Sequence, residues 1–327
     1  MDTRHPYSDL TPDRVLNAVE STGLPCDGRL IALNSYENRV YQVGIAEREP
    51  VVAKFYRPGR WSDEAILEEH AFTAELAERD IPAVAPLAAH GRTLQRFEGF
   101  RFAVYPRRPG RAPELEDPAV LEWMGRFLGR IHAVGAVRPF LWRGALTVES
   151  LGDEPLAFLL EGGFLPPDLE LPFRTIAQQV LRLVRAGFAA AGEMRAIRLH
   201  GDCHPGNVLW TEQGPHFVDF DDCRMGPAVQ DLWMLLSGER DTMGRQLAHI
   251  MKGYRRFHDF DPRELRVLEA LRALRMIHYA GWLAKRWDDP AFPANFPWFN
   301  TQRYWQDQIL ALREQAAALE EPPLVLA

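Results

Sequence analysis

The sequence has few cysteines, no excess of positive charge and no long apolar run. Cys26, Cys203 and Cys223 lack the spacing of a disulfide framework or a cysteine zinc site, which favours a reducing compartment. The net charge of -7 repels a phosphate backbone, so no nucleic-acid partner is expected. No apolar stretch approaches the ~18 residues of a membrane span, and the segment MDTRHPYSDL lacks the apolar centre of a signal peptide. We therefore expect a cytoplasmic protein without membrane contact.

The chain is long enough for two lobes, and its pattern changes near residue 106. Its 327 residues, 46% of them hydrophobic, can bury a large core. The first third contains short extended runs around one helix at 62–79, whereas the rest shows helical spacing beyond a charged, turn-rich linker. We predict a bilobal α+β fold, with a small antiparallel lobe over 1–106 and a larger, mainly helical lobe over 107–327. The predicted strands cover residues 29–33, 39–43, 50–55, 93–97 and 100–105.

The most informative segment reads LHGDCHPGNVLW and is soon followed by HFVDFDD. Apolar runs at 208–210 and 217–220, with a Gln-Gly-Pro turn between them, predict a β-hairpin. The two ends of that hairpin would bring the amide of Asn207 and the carboxylate of Asp219 together beside Asp202.

These three side chains suit phosphoryl transfer from ATP. That reaction needs a carboxylate that orients the attacking hydroxyl and takes its proton, and oxygen ligands that hold Mg²⁺ against the phosphates. Asp202 is the candidate for the first role, and Asn207 and Asp219 are the candidate Mg²⁺ ligands. Two alternatives are a plain polar loop joined to a buried hairpin, and a metal site within residues 200–204. Alternation along an extended segment would turn Cys203 to the opposite face, which argues against the metal site.

A lysine and a glutamate upstream would complete a nucleotide site. The strand predicted at 50–55 carries Lys54 near its end, where a cation can hold the ATP phosphates. On the predicted helix, a rotation of 100° per residue places Glu69 within the apolar stripe. Because a buried carboxylate is costly unless it is paired, we predict that Glu69 contacts Lys54. Glu68 would take this place if the helix register differed slightly.

No glycine-rich phosphate loop precedes this lysine. The segment between the first two strands reads LNSYENR, in which Ser35 and Asn38 either bond phosphate oxygens or form a simple polar turn. The run from Phe102 to Pro106, which includes Tyr105, occupies the position of a hinge whose backbone groups would meet adenine. A buried strand leading into a linker gives the same pattern.

The H-G-D-x-x-x-x-N pattern resembles the catalytic loop of the aminoglycoside phosphotransferase-like kinases, which implies a protein-kinase-like fold. Further segments extend the resemblance over nearly the whole chain to the bacterial stress response kinase A family. These segments cover residues 33–42, 54–58, 226–236 and 289–293. The resemblance implies a cytoplasmic Ser/Thr protein kinase that is linked to bacterial stress responses.

The same resemblance implies a role for individual residues. It assigns proton acceptance to Asp202, magnesium binding to Asn207 and Asp219, and ATP binding to Ser35. The segment PVVAKF resembles the strand that carries the phosphate-binding lysine of kinases. The expected partners are ATP and a protein with a Ser or Thr hydroxyl, which includes the chain itself, and a monomer is expected.

Two departures from eukaryotic protein kinases affect regulation. The metal-binding segment reads D-F-D instead of D-F-G, and Pro227 follows so soon that no long activation loop fits. We therefore expect activity without activation-loop phosphorylation. Asp231 either braces the catalytic loop or caps a helix. Two alternative functions remain, namely a kinase for a small hydroxylated or amino-bearing metabolite and a nucleotide-binding scaffold without catalysis.

Overall fold

The computed structural model of the chain describes residues 6–326 and begins with helix α1 (Pro12–Glu20). Helix α1 packs on a five-stranded antiparallel sheet, where Val15 and Val19 join one apolar cluster with Phe55. The strands are β1 (Cys26–Ala32), β2 (Arg39–Ile45), β3 (Arg48–Phe55), β4 (Gln95–Phe97) and β5 (Phe100–Pro106). Their order across the sheet is β1-β2-β3-β5-β4.

Each predicted strand overlaps an observed one, but the first strand begins earlier than its pattern indicates. Strand β1 starts at Cys26, and its pairing with β2 is irregular between Cys26 and Leu30. Gly28 lies in this stretch with a positive φ of 87°. The irregularity interrupts the two-residue alternation on which a strand prediction depends.

Helix α2 (Asp63–Ala77) lies between the third and fourth strands in sequence, as predicted. Ser62 caps it by accepting a hydrogen bond from the backbone N–H of Ala65, and two acidic residues occupy its first turn. Phe72 of α2 is buried in the cluster that forms the main C-terminal core. The helix therefore connects the sheet with the helical part of the molecule.

The C-terminal part is mainly helical, so the predicted α+β class is confirmed. Its helices are α3 (Pro118–Gly135), α4 (Glu154–Glu161), α5 (Pro167–Ala191), α6 (Val229–Trp233), α7 (Arg240–Tyr254), α8 (Leu268–Ala284), α9 (Ala291–Asn295) and α10 (Gln302–Glu320). In the described residues, none of the helices combines the length and the hydropathy that spanning a bilayer requires. Strand β5 ends at Pro106, and a division into lobes at this point stays a prediction.

Two small antiparallel pairs position the loops that matter for function. The first pair joins β6 (Ile197–Leu199) to β9 (Arg224–Gly226). The second is a hairpin of β7 (Val208–Thr211) and β8 (Gly214–Phe217). The loops around these strands therefore converge on one region between the sheet and the helices.

Candidate active site

The β7–β8 hairpin places Asn207 and Asp219 side by side, as the sequence predicts. Strand β7 begins directly after Asn207, and the backbone N–H of Val218 donates to the carbonyl of Asn207 at 3.0 Å. Asp219 then adopts a left-handed backbone conformation, with φ 57° and ψ 63°. A non-glycine residue holds this conformation only where its surroundings impose it, which often occurs at functional sites.

Four of the predicted site residues line one cleft with a volume of about 430 Å³: Ser35, Asp202, Asn207 and Asp219. Residues of the loop between β1 and β2 and residues of α8 also line this cleft. Lys54, Glu69 and Tyr105 are not among the lining residues, although Lys54 reaches the cleft through its contact with Asp219.

The oxygen atoms proposed to bind Mg²⁺ are available in this geometry. Asn207 donates from Nδ2 to the carbonyl oxygen of Asp202 at 2.9 Å, so its Oδ1 is the atom left for a metal. The side chain of Asp219 is 53% exposed. One amide and one carboxylate oxygen, completed by phosphate and water oxygens, fit the preference of Mg²⁺. Within residues 6–326 no group of three His, Cys, Asp or Glu side chains could hold a metal, which also argues against the alternative site at 200–204.

Asp231 braces the backbone of the loop that carries Asp202. Its buried carboxylate accepts hydrogen bonds from the backbone N–H groups of His200 at 2.9 Å and Gly201 at 2.8 Å, and Nε2 of His132 lies 3.0 Å from Oδ2. Gly201 has a φ of +85°, and a Cβ atom there would overlap the carbonyl oxygen of Asp222. The loop conformation thus depends on a buried carboxylate and on a glycine.

Asp231→Asn is expected to lower the free energy of unfolding by about 2 kcal/mol, because a charged acceptor of backbone N–H groups becomes a neutral amide. Burial alone would raise the pKa of Asp231, but the hydrogen bond with His132 and the backbone donor of Gly201 hold it below its ordinary value. A group with a lowered folded pKa stabilises the protein above its unfolded pKa, about 3.9, and loses this effect as the pH falls.

Urea unfolding of parent and Asp231→Asn between pH 7 and pH 3 measures this difference. The gap in stability should be full at pH 7 and should shrink below about pH 4. A gap that stays constant over the whole range would contradict the assignment. Asp288→Asn, a change at an exposed acid, serves as the control.

Lys54 lies among three carboxylates. Its Nζ is 3.0 Å from Oδ1 of Asp219, 3.1 Å from Oδ1 of Asp221 and 3.6 Å from Oε1 of Glu69. Burial alone would lower the pKa of Lys54, but the three carboxylates outweigh it and hold the pKa well above its ordinary value. A fixed cation therefore lies beside the candidate metal-binding carboxylate, where nucleotide phosphates are held in kinases.

Glu69 has a second and closer cation partner, which sequence reasoning missed. Arg143, whose side chain is fully buried, donates from Nη2 to Oε2 of Glu69 at 3.0 Å. Burial raises the pKa of Glu69, and the charges of Lys54 and Arg143 oppose this rise. Glu68 instead accepts hydrogen bonds from backbone N–H groups of residues 141–143. The helix register that favours Glu69 over Glu68 therefore agrees with the structure.

Arg60 is another missed residue, and it holds the two acids that follow the candidate metal ligand. Its Nη2 lies 2.8 Å from Oδ1 of Asp222, and its Nη1 contacts Asp221. Arg224 also contacts Asp222, at 2.8 Å. Burial alone would raise the pKa of both acids, but Arg60 and further cations lower that of Asp221 to about 2 and that of Asp222 far below its usual range. Both stay ionised and paired at neutral pH.

The carboxylate of Asp202 has an arginine partner of its own. Nη1 of Arg275, on α8, lies 2.5 Å from Oδ1 of Asp202, while Nε2 of His204 is 3.6 Å from Oδ2. The side chain of Arg275 is 42% exposed. This contact engages one carboxylate oxygen and leaves Oδ2 as the oxygen that can accept a proton from an incoming hydroxyl. Nothing in the sequence around Arg275 pointed to this contact.

The loop between β1 and β2, which stands in place of a glycine-rich phosphate loop, is held by hydrogen bonds within itself and to neighbouring segments. Ser35 donates from Oγ to the carbonyl of Asn38 at 3.2 Å. The amide of Asn38 donates to Oδ2 of Asp221 at 3.2 Å and accepts from the backbone N–H of Arg57 at 3.1 Å. The Asn38 side chain is therefore engaged by the protein, and the role of Ser35 toward ATP stays a prediction.

The same loop is attached to the C-terminal helices. Nε1 of Trp282, on α8, donates to Oε2 of Glu37 at 2.6 Å. Arg57, which follows β3, joins this loop to the segment between α8 and α9: its Nε lies 3.2 Å from Oε1 of Glu37, and its Nη2 lies 2.6 Å from Oδ2 of Asp289. Three of the four segments on which the family resemblance rests thus meet in one network beside the cleft. Their separation in sequence conceals this common location.

Tyr105 packs away from the cleft lining. Its hydroxyl lies 2.9 Å from the hydroxyl of Tyr56, which in turn lies 2.7 Å from Nε2 of His70 in α2. Its backbone lies in β5 opposite Val52 of β3. A role of this segment toward adenine would rest on backbone groups and stays a prediction.

Fold and cleft together define a protein of the kinase-like phosphotransferase class. The family model described as phosphotransferase enzyme family matches residues 29–268. Stress response kinase A of Escherichia coli (strain K12) is 42% identical over 320 residues, which cover 98% of this chain and 97% of that protein. Serine/threonine protein kinase RdoA of Salmonella typhimurium (strain LT2) is 41% identical over 325 residues, or 99% of this chain and 98% of that protein. The chain therefore belongs to the phosphotransferase enzyme family and, within it, to the stress response kinase A family.

Solved structures support the fold. Amicoumacin kinase hAmiN, in complex with AMP-PNP, Ca²⁺ and Ami, aligns with a TM-score of 0.72 and 19% identity over 96% of this chain and 95% of that chain. The microcompartment-associated aminopropanol kinase aligns with a TM-score of 0.70 and 19% identity over 94% and 96% of the two chains. The fold and the family membership predicted from the sequence are thus confirmed.

Proposed function

We propose that this phosphotransferase is an ATP- and Mg²⁺-dependent kinase that transfers the γ-phosphate to a Ser or Thr hydroxyl of a protein. The observation that carries the proposal is the convergence of Asp202, Asn207 and Asp219 on one cleft, with Lys54 bonded to the last of them. The name of the Salmonella relative, a serine/threonine protein kinase, supports the choice of acceptor. The names of the Escherichia coli and related proteins support a role in a stress response.

Each residue has a defined task in this proposal. Asp202 accepts a hydrogen bond from the acceptor hydroxyl and takes its proton. Lys54 binds the phosphates. Once a nucleotide is present, the phosphates compete with Asp219 for the ammonium group of Lys54 and weaken that ion pair. Asn207 and Asp219 would hold Mg²⁺, which supplies positive charge next to the transferred phosphoryl group. Ser35 would bond to the phosphates from the loop between β1 and β2.

The charges of the cleft favour an acceptor without a strong positive charge. Every carboxylate that lines the described cleft already contacts a cation. The pairs are Glu37 with Arg57, Asp202 with Arg275, Asp219 with Lys54, Asp221 with Arg60 and Asp222 with Arg224. An aminoglycoside or a choline-like cation would therefore find only carboxylates whose charge is already offset by a cation, whereas a Ser or Thr side chain needs no anionic partner.

A kinase for a small metabolite is the second candidate. Its support is the cleft volume of about 430 Å³, which lies within the range of small-ligand pockets. It would use the same Asp202, Asn207 and Asp219, so only the acceptor distinguishes the two candidates.

Incubation with radiolabelled ATP and Mg²⁺ distinguishes the protein kinase from the small-metabolite kinase. We expect label in a generic Ser/Thr protein substrate and in the chain itself, without any added activating kinase, and none in a panel of aminoglycosides, choline and amino alcohols. A peptide with its Ser and Thr residues replaced by Ala controls for the acceptor group. Label confined to a metabolite would exclude the protein acceptor. If the chain stays inert until another kinase phosphorylates it, the expectation that it is active without activation-loop phosphorylation is wrong.

A further inference from the structure

Glu68 anchors α2 to the segment that follows α3. Its carboxylate accepts three backbone N–H groups, those of Leu141 at 2.6 Å, Trp142 at 2.7 Å and Arg143 at 3.0 Å. A carboxylate bound by three N–H donors is a strong local attachment, because each hydrogen bond is assisted by charge. This residue lies next to Glu69, and its hydrogen bonds go to residues 141–143, so its effect on the nucleotide site passes through α2 and through Arg143.

Arg143 extends the attachment into the interior. Its Nε donates to the carbonyl of Ala65 at 2.8 Å, and its Nη2 donates to Glu69 at 3.0 Å, so it holds α2 at two points. Its Nη1 donates to the carbonyls of Asp221 at 2.7 Å and Cys223 at 3.2 Å. One fully buried guanidinium thereby joins α2 to the segment that carries the candidate metal ligand.

Contacts of aromatic rings also join α2 to the segment that follows β8. The ring of Phe72, on α2, contacts the ring of Phe220 edge to face, with 6.0 Å between centroids. The guanidinium of Arg143 lies over the ring of Trp61, 4.4 Å from its centroid. These contacts fix the rotation of α2, which decides whether Glu69 points toward Lys54.

We propose that Glu68 and Arg143 are positioning residues that keep α2 in the orientation needed to bind nucleotide. This inference rests on the proposed function, because it assumes that Lys54 binds ATP phosphates. Protein kinases often set the corresponding helix through activation-loop phosphorylation. Here the contacts of residues 141–143 hold the helix without an activation loop.

A double-mutant cycle on nucleotide affinity tests the proposal. The dissociation constant of Mg-ATP is measured for the parent, Glu68→Ala, Lys54→Ala and the double variant. We expect Glu68→Ala to weaken binding about fivefold in the parent and by less than about 1.5-fold in the Lys54→Ala background, because coupled residues act non-additively. Glu64→Ala, an exposed acid on the same helix, is the matched control and should bind as the parent does.

Two results would overturn the proposal. One is a Glu68→Ala affinity equal to that of Glu64→Ala. The other is an equal loss in both backgrounds, which would indicate a general loss of stability instead of an effect through Lys54. Both results leave the proposed function intact if the parent binds Mg-ATP. A parent that does not bind Mg-ATP would overturn the proposed function together with this inference. A thermal melt of each variant confirms that the fold is retained.

Discussion

Asp202→Ala is expected to lower the rate of phosphoryl transfer at least ~100-fold, the effect of losing a positioned proton acceptor. The variant should still fold, because the arginine that loses its carboxylate partner, Arg275, has a side chain that is 42% exposed and can be solvated. Mg-ATP binding should persist, since the candidate metal ligands and Lys54 are unchanged. Single-turnover transfer of label, measured beside nucleotide affinity, separates the two steps.

A conservative variant distinguishes proton transfer from orientation. Asp202→Asn keeps the shape and one oxygen of the side chain, so it can still orient a hydroxyl but cannot take a proton at neutral pH. We expect it to be nearly as slow as Asp202→Ala. Turnover close to that of the parent would remove proton acceptance from the role of Asp202. Glu212→Ala, at the exposed turn of the β7–β8 hairpin, controls for disturbance of the neighbouring hairpin.

The proximity of the three candidate catalytic and metal-binding residues can be predicted from local sequence. Asp202, Asn207 and Asp219 lie within one short stretch, and a hairpin with a recognisable turn brings its two ends together. The register of α2 is similarly local, because a rotation of 100° per residue identifies Glu69 as the buried acid. Such predictions need no knowledge of distant parts of the chain.

The arginines of the site could not be predicted in this way. Arg143 lies 74 residues from Glu69, and Arg275 lies 73 residues from Asp202. Neither arginine stands in a motif, and most arginines of a chain are solvated on its surface. The argument that Glu69 needs a cation was physically sound but incomplete, because it considered a single partner. A buried acid accepts bonds at two oxygens, and here Lys54 and Arg143 take one each.

The ion pairs of the segment after β8 could not be predicted from the sequence either. The sequence identifies Asp219 as a candidate metal ligand and Asp221 as a departure from D-F-G, but it indicates no partner for Asp221 or Asp222. In the structure they pair with Arg60, which lies in the loop before α2, so the sheet and the segment that carries the candidate metal ligand are joined by charge. Pairing of this kind depends on how the two parts of the chain pack and leaves no periodic trace in the sequence.

Asp219→Ala is expected to remove most of the metal dependence of nucleotide binding. The parent should bind ATP more tightly with Mg²⁺ than with EDTA, and this ratio should fall at least ~10-fold in the variant, since one of two proposed protein ligands is lost. Transfer should slow by about 1,000-fold or more, because a metal ion stabilises developing charge by several kcal/mol. Calorimetric titration with ATP, with and without Mg²⁺, measures the first effect.

Changing the ligand chemistry tests whether Asp219 itself touches the ion. Asp219→Cys should lose activity with Mg²⁺, which prefers oxygen, and should regain part of it with a thiophilic ion such as Cd²⁺. The parent and Asp219→Ala, assayed with the same ions, show whether Cd²⁺ alone supports transfer. Rescue confined to the cysteine variant would place the ion on residue 219. An unchanged Mg²⁺ dependence in Asp219→Ala would instead move the metal to other oxygens, of which Asp221 is the nearest candidate, because it shares Lys54 with Asp219.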